Sequence, residues 1–66
     1  MEIEYKALLG RPVILKIVLD DVQVPLRGRL LRESGETIRI RVGEGWDIDV
    51  YKTMISAVEE ADMRTA

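Results

Sequence analysis

The chain has no cysteine, no histidine and no phenylalanine, and only one tryptophan, two tyrosines and two prolines in 66 residues. Without cysteine no disulfide forms, and without cysteine or histidine the usual structural zinc sites are excluded. A domain this short buries only about 60% of its unfolded surface, and disulfides, a structural metal or self-association ordinarily make up the shortfall. Only self-association is left. The same absences bear on chemistry. Ser34 and Ser56 have no imidazole partner and no recognisable oxyanion loop, so the chain is not expected to be an enzyme. Asp20-Asp21 and Asp47-x-Asp49 lack calcium-loop spacing, which gives no metal site. The Gly43-Glu44-Gly45 element joins two alternating segments and does not open onto a helix, so no phosphate-binding loop, cofactor or small-molecule substrate is implied. No apolar run approaches the roughly 20 residues needed to span a bilayer, and no charged-then-apolar leader begins the chain. A cytoplasmic protein that does not engage membranes is the expectation.

What is present is alternation. In Ile38-Arg-Ile-Arg-Val42 and Trp46-Asp-Ile-Asp-Val50, apolar and charged residues strictly alternate on either side of the glycine-flanked turn. A three-residue loop pairs Val42 with Trp46, Ile40 with Ile48 and Ile38 with Val50, so every apolar residue falls on one face. The same register sets Arg41 opposite Asp47 and Arg39 opposite Asp49, each pairing favourable by roughly 0.2 to 1 kcal/mol. Two independent patterns demand one hairpin.

The remainder follows the same period. Val13, Leu15, Ile17 and Leu19 share a face, and a two-residue turn at Asp20-Asp21 pairs Leu19 with Val22, Ile17 with Val24, Leu15 with Leu26 and Val13 with Gly28. Pro25 then points outward, as at an edge or a bulge. A second three-residue loop, Glu33 to Gly35, pairs Leu30 with Ile38, Gly28 with Ile40 and Leu26 with Val42. It also sets Arg29 against Arg39 and Arg27 against Arg41. Gly28, inward and mid-strand, permits a sharp bend of the kind that closes a barrel. After a step at Lys52-Thr53 comes a last strand, Met54 to Val58. Residues 2 to 9 read as two turns of helix capped at Gly10, with Ile3, Ala7 and Leu8 near one face. The expectation is a mainly β domain over residues 1–58, a short N-terminal helix before five strongly bent antiparallel strands, with a frayed tail at 59–66.

Pro12-Val13 opening the first strand, Gly28 within the bent second, and Val50-Tyr51-Lys52 leading into Ile55-Ser56-Ala57-Val58 resemble the Sm-like family, and within it the bacterial host-factor RNA chaperones. Small SH3-type barrels share much of the pattern. The resemblance covers residues 5 to 58 and implies a non-catalytic homo-oligomer, usually a ring of six or seven subunits. The last two strands of neighbouring subunits, here 46–51 and 54–58, would pair edge to edge. It also implies RNA as the partner, with Tyr51, Lys52 and Thr53 at the position of the family's Tyr-Lys-His step. Thr53 replaces the histidine, and Gly35 and Glu36 replace the polar-aromatic pair that grips the base. The alternative is an SH3-like interaction or scaffold module without the nucleic-acid pocket.

Each candidate residue has two readings. Lys52 is either a pore lysine directed at RNA or a solvated turn lysine. Tyr51 either joins the site or packs at a strand end, and Trp46, inward by parity, belongs to a core or subunit interface unless it is a stacking platform. Arg27, Arg29, Arg39 and Arg41 are either an RNA-binding group, their forks matching phosphate, or cross-strand partners of Asp47 and Asp49. Residues 11 to 41 hold seven basic and four acidic side chains, and residues 42 to 66 two basic and six acidic. This asymmetry within a net charge of −2 fits a polyanion-binding face.

Overall fold

The computed structural model describes residues 3–61. Five antiparallel strands form one sheet: β1 (Pro12–Leu19), β2 (Val22–Glu33), β3 (Thr37–Val42), β4 (Trp46–Tyr51) and β5 (Ile55–Glu60). Their spatial order is β4-β3-β2-β1-β5, so β4 and β5 are the two edges and the sheet is open between them. No helix among the described residues is long and apolar enough to cross a membrane.

Two hairpins have the register that alternation and charge demand. β1 and β2 pair Leu19 with Val22 through Val13 with Gly28. β3 and β4 pair Val42 with Trp46, Ile40 with Ile48 and Ile38 with Val50, with Arg41 across from Asp47 and Arg39 across from Asp49. The Asp20-Asp21 turn closes with Asp20 in the left-handed region at φ 55°, a conformation that aspartate tolerates better than most residues.

The β2–β3 register departs from expectation. Leu30 lies across from Ile40 and Arg29 from Arg41, and past an irregularity between Leu30 and Arg32, Arg32 faces Arg39 and Glu33 faces Ile38. The loop is accordingly Ser34 to Glu36, tied by the Ser34 amide donating to the Thr37 carbonyl at 2.8 Å. β2 thus serves two partners in succession: residues 22–29 pair with β1, and 29–33 with β3. The changeover falls beside Gly28. A Cβ there would lie 2.4 Å from the Arg41 carbonyl oxygen and 2.7 Å from Ile40 Cγ1. Glycine is required because the β3 backbone crosses directly over it.

The expected N-terminal helix is a single 3-10 turn, Lys6–Leu8. The sheet outcompetes it for hydrogen bonds. Just beyond the turn, the Gly10 amide donates to the Leu30 carbonyl at 2.7 Å, and the Leu30 amide to the Arg11 carbonyl at 3.0 Å. Tyr5, not Ala7, is the residue buried from this segment, while Ile3 and Leu8 pack partly against the core. That core comprises Val13, Leu15, Leu30, Ile38 and Ile40, with Tyr5, Ile17, Val50 and Ile55 around them. At the other terminus Met54 belongs to a 3-10 turn, Lys52–Met54, and β5 continues past Val58 to Glu60. Ala61 is only 4% exposed and its amide donates to the Pro12 carbonyl at 2.9 Å, so the chain is ordered beyond the expected boundary. The remaining tail residues, 62–66, lie outside the described residues.

Candidate nucleic-acid interface

The outward residues of β2, β3 and β4 make one charged face. Arg29 lies across from Arg41, and Arg32 from Arg39. On the next strand the aspartates take hydrogen bonds only from the β3 arginines. Arg39 donates through Nε and Nη2 to both carboxylate oxygens of Asp49 at 2.9 and 3.3 Å. Arg41 does the same to Asp47 at 2.7 and 3.1 Å. These hydrogen bonds, reinforced by the guanidinium charges, hold both carboxyls below the usual aspartate range. They correspondingly stabilise the charged form of each arginine.

The β2 arginines have no such partners. Arg29 Nη1 donates to the Gly10 carbonyl at 2.6 Å, which positions the guanidinium without neutralising it. Arg27 and Arg32 are exposed and join none of the ion pairs formed among the described residues. Arg27 faces Ile14 of β1, not Arg41. Five arginines and two aspartates therefore share the outer side of three strands, an excess of three positive charges. Arg32 was not singled out from the sequence; only the irregularity after Leu30 brings it opposite Arg39, and alternation alone does not signal it.

Lys52 is not a solvated turn lysine. Its Nζ lies 2.6 Å from Glu33 Oε2, with the two side chains only 25% and 20% exposed. It also sits 5.4 Å from the centre of the Tyr5 ring. The backbone supports the arrangement, as the Lys52 amide donates to the Glu36 carbonyl at 2.9 Å. Burial first, and the Glu33 charge second, push the Tyr5 hydroxyl above its ordinary range. A polar cavity of about 530 Å³ opens here, bordered by Glu4, Lys6, Glu33 and Lys52. Two acids and two bases cancel, so the cavity offers a phosphate no net attraction. Thr53 is exposed in the adjoining turn, and Tyr51 is exposed at the end of β4. The structure thus places Lys52 and Thr53 in the turn that follows β4, with the Lys52 charge taken up by Glu33, while Tyr51 continues the outward row of Asp47 and Asp49 on β4.

Trp46 keeps its inward parity beside Ile48 and Val50. It is not in the core, however: 75% of its surface is exposed, because none of the described residues covers the inner face at that end of β4. Leu19, Val22 and Val24, at the tip of the β1–β2 hairpin, are uncovered on the same side. Between hairpin and β4 runs an apolar cleft of about 280 Å³, floored by Ile17, Leu26, Val50 and Met54.

No protein-family model, curated protein or solved structure matches the chain.

Proposed function

We propose that this chain is a non-catalytic, self-associating module of Sm-like or SH3-like barrel type that binds RNA through the arginine face of β2 and β3. One observation carries the reading: Arg29 sits opposite Arg41 and Arg32 opposite Arg39, with only two aspartates to answer five arginines. Like charges directly across a ladder oppose folding, and bound phosphates would relieve that repulsion. Self-association is supported by the unpaired edges of β4 and β5, which in the Sm-like arrangement would pair between neighbouring subunits of a ring. The Tyr51-Lys52-Thr53 step has a subordinate place in this reading, since Glu33 already answers the charge of Lys52.

Anisotropy titrations of labelled uridine-rich and adenine-rich oligonucleotides at about 50 and about 200 mM salt test it. Affinity should fall steeply with salt. Arg27→Ala and Arg32→Ala should each flatten the log-log salt slope by about 0.7, whereas Lys52→Ala should leave the slope unchanged. Absence of binding at low salt, or slopes indifferent to both arginines, would refute the RNA reading. The alternative is a protein-interaction or scaffold module, which the neutralised lysine and the uncovered apolar cleft favour.

A further inference from the structure

We infer that the apolar cleft between the β1–β2 hairpin and β4 is filled by the tip of the same hairpin from a second copy of this chain. The inference rests on the self-association part of the proposed function and adds a specific contact that edge pairing does not require.

Three observations lead to it. The first is area. Trp46, Leu19, Val22, Val24 and Ile48, 37% to 75% exposed on one face, together leave on the order of 500 Å² of residue surface uncovered, within the upper range of the largest apolar patches on ordinary monomers. Counted from both partners of a two-fold pair, that is about 1,000 Å² before any polar rim is added, which approaches the lower bound of a specific interface. The second is shape. The hairpin tip projects Val22, 59% exposed and outside the cleft, while the cleft is a hollow floored by Ile17, Leu26, Val50 and Met54 and walled on the hairpin side by Leu19 and Val24. Knob and hollow belong to the same chain, so a two-fold axis lets each copy fill the other, and the contact closes at two subunits. The third is chemistry. Among the described residues Asp49 is the one charged residue bordering the cleft, and its carboxylate is held by Arg39. Apolar side chains entering the cleft would leave no charge unpaired.

The lone tryptophan makes the contact visible. Light scattering over a wide concentration range should show association, and the Trp46 emission should move to the blue and become resistant to acrylamide as mass increases. Val22→Lys, at an exposed position at the hairpin tip and on neither the β4 nor the β5 edge, should weaken association at least tenfold and return Trp46 to a solvent-exposed spectrum, with the far-ultraviolet β signal retained. Ser34→Lys, the same charge placed in the exposed loop at the opposite end of β2, should change neither. A wild-type chain that stays monomeric with exposed Trp46 overturns both the contact and the self-association reading. An oligomer whose mass and Trp46 spectrum ignore Val22→Lys overturns the contact alone and leaves edge pairing standing. Equal loss with Ser34→Lys would trace dissociation to charge and also overturn it.

Discussion

Gly28 is the residue on which the close approach of β2 and β3 depends. β2 changes partners beside it, and the Arg41 carbonyl occupies the space that any side chain would need. Gly28→Ala should therefore lower stability by about 3 kcal/mol, at the upper end of overpacking costs, because the obstacle is backbone and not a flexible side chain. Urea denaturation followed by CD would measure it. The need for glycine here was legible as an inward, mid-strand position where a side chain would otherwise be expected. Its reason was not, since the crossing of β3 is a contact between residues 12 or more apart. Lys52 shows the same limit. A Tyr-Lys step is readable, but Glu33, its ion-pair partner, comes from a strand end 19 residues earlier that only the fold brings to 2.6 Å.

At the scale of the element, the β3–β4 hairpin is the best specified part of the chain. Its two forked ion pairs should appear directly in a titration. By carbon-detected NMR the carboxyls of Asp47 and Asp49 should titrate below the ordinary aspartate value of about 3.9, and Arg39→Gln should move Asp49 back up while leaving Asp47 nearly unchanged. The sign for stability follows. A carboxyl depressed in the folded state contributes stability that is present above its unfolded value and lost as pH falls through the lower folded value. The hairpin should thus weaken only in acid, below the ordinary carboxylate range. An Asp49 midpoint at or above the unfolded value would contradict the bidentate geometry. Both side chains are exposed, so each pair is a modest contributor whose larger effect is on register. The N-terminal segment is the converse case. Its residues accommodate a helix locally, but the Gly10 and Arg11 backbone pairs with Leu30, and only one 3-10 turn remains. Tertiary hydrogen bonding overrides so short a helix, whose nucleation is unfavourable.

For the whole molecule, closure at the C-terminal end matters more than the composition of that segment suggests. Glu59 pairs with Lys16 at 3.3 Å and Glu60 with Arg11 at 2.6 Å, while Ala61 is buried and bonded to Pro12. A chain ending at Val58 should be less stable than one ending at Ala61 by about 1 to 3 kcal/mol, mostly from lost backbone pairing along β1. Thermal melts of the two truncations compare them, and equal melting temperatures would show that residues 59–61 contribute nothing. The polar run Glu59-Glu60 conceals this because its pairing partners lie at the other end of the chain.

Alternation by itself determined which residues face in and which face out along β1, β3, β4 and β2 as far as Leu30, since a period of two allows only two choices. Past the irregularity after Leu30, and along β5, whose pairing with β1 shifts between Lys16 and Ile17, it does not. In the β3–β4 hairpin, opposite charges also settled which residues meet. Between β2 and β3 no such signal exists. A shift of two residues keeps every inward residue inward, and with arginines on both strands either register sets arginine against arginine. Only the tertiary structure, through the irregularity after Leu30 and the passage of β3 over Gly28, selected the pairing that brings Arg32 onto the charged face. Parity likewise placed Trp46 on the inner side, but what covers that side is a question of neighbours in space. Among the described residues nothing does, because the ladder between β2 and β3 ends at Arg29 and Arg41 and the inner face stays open beyond it.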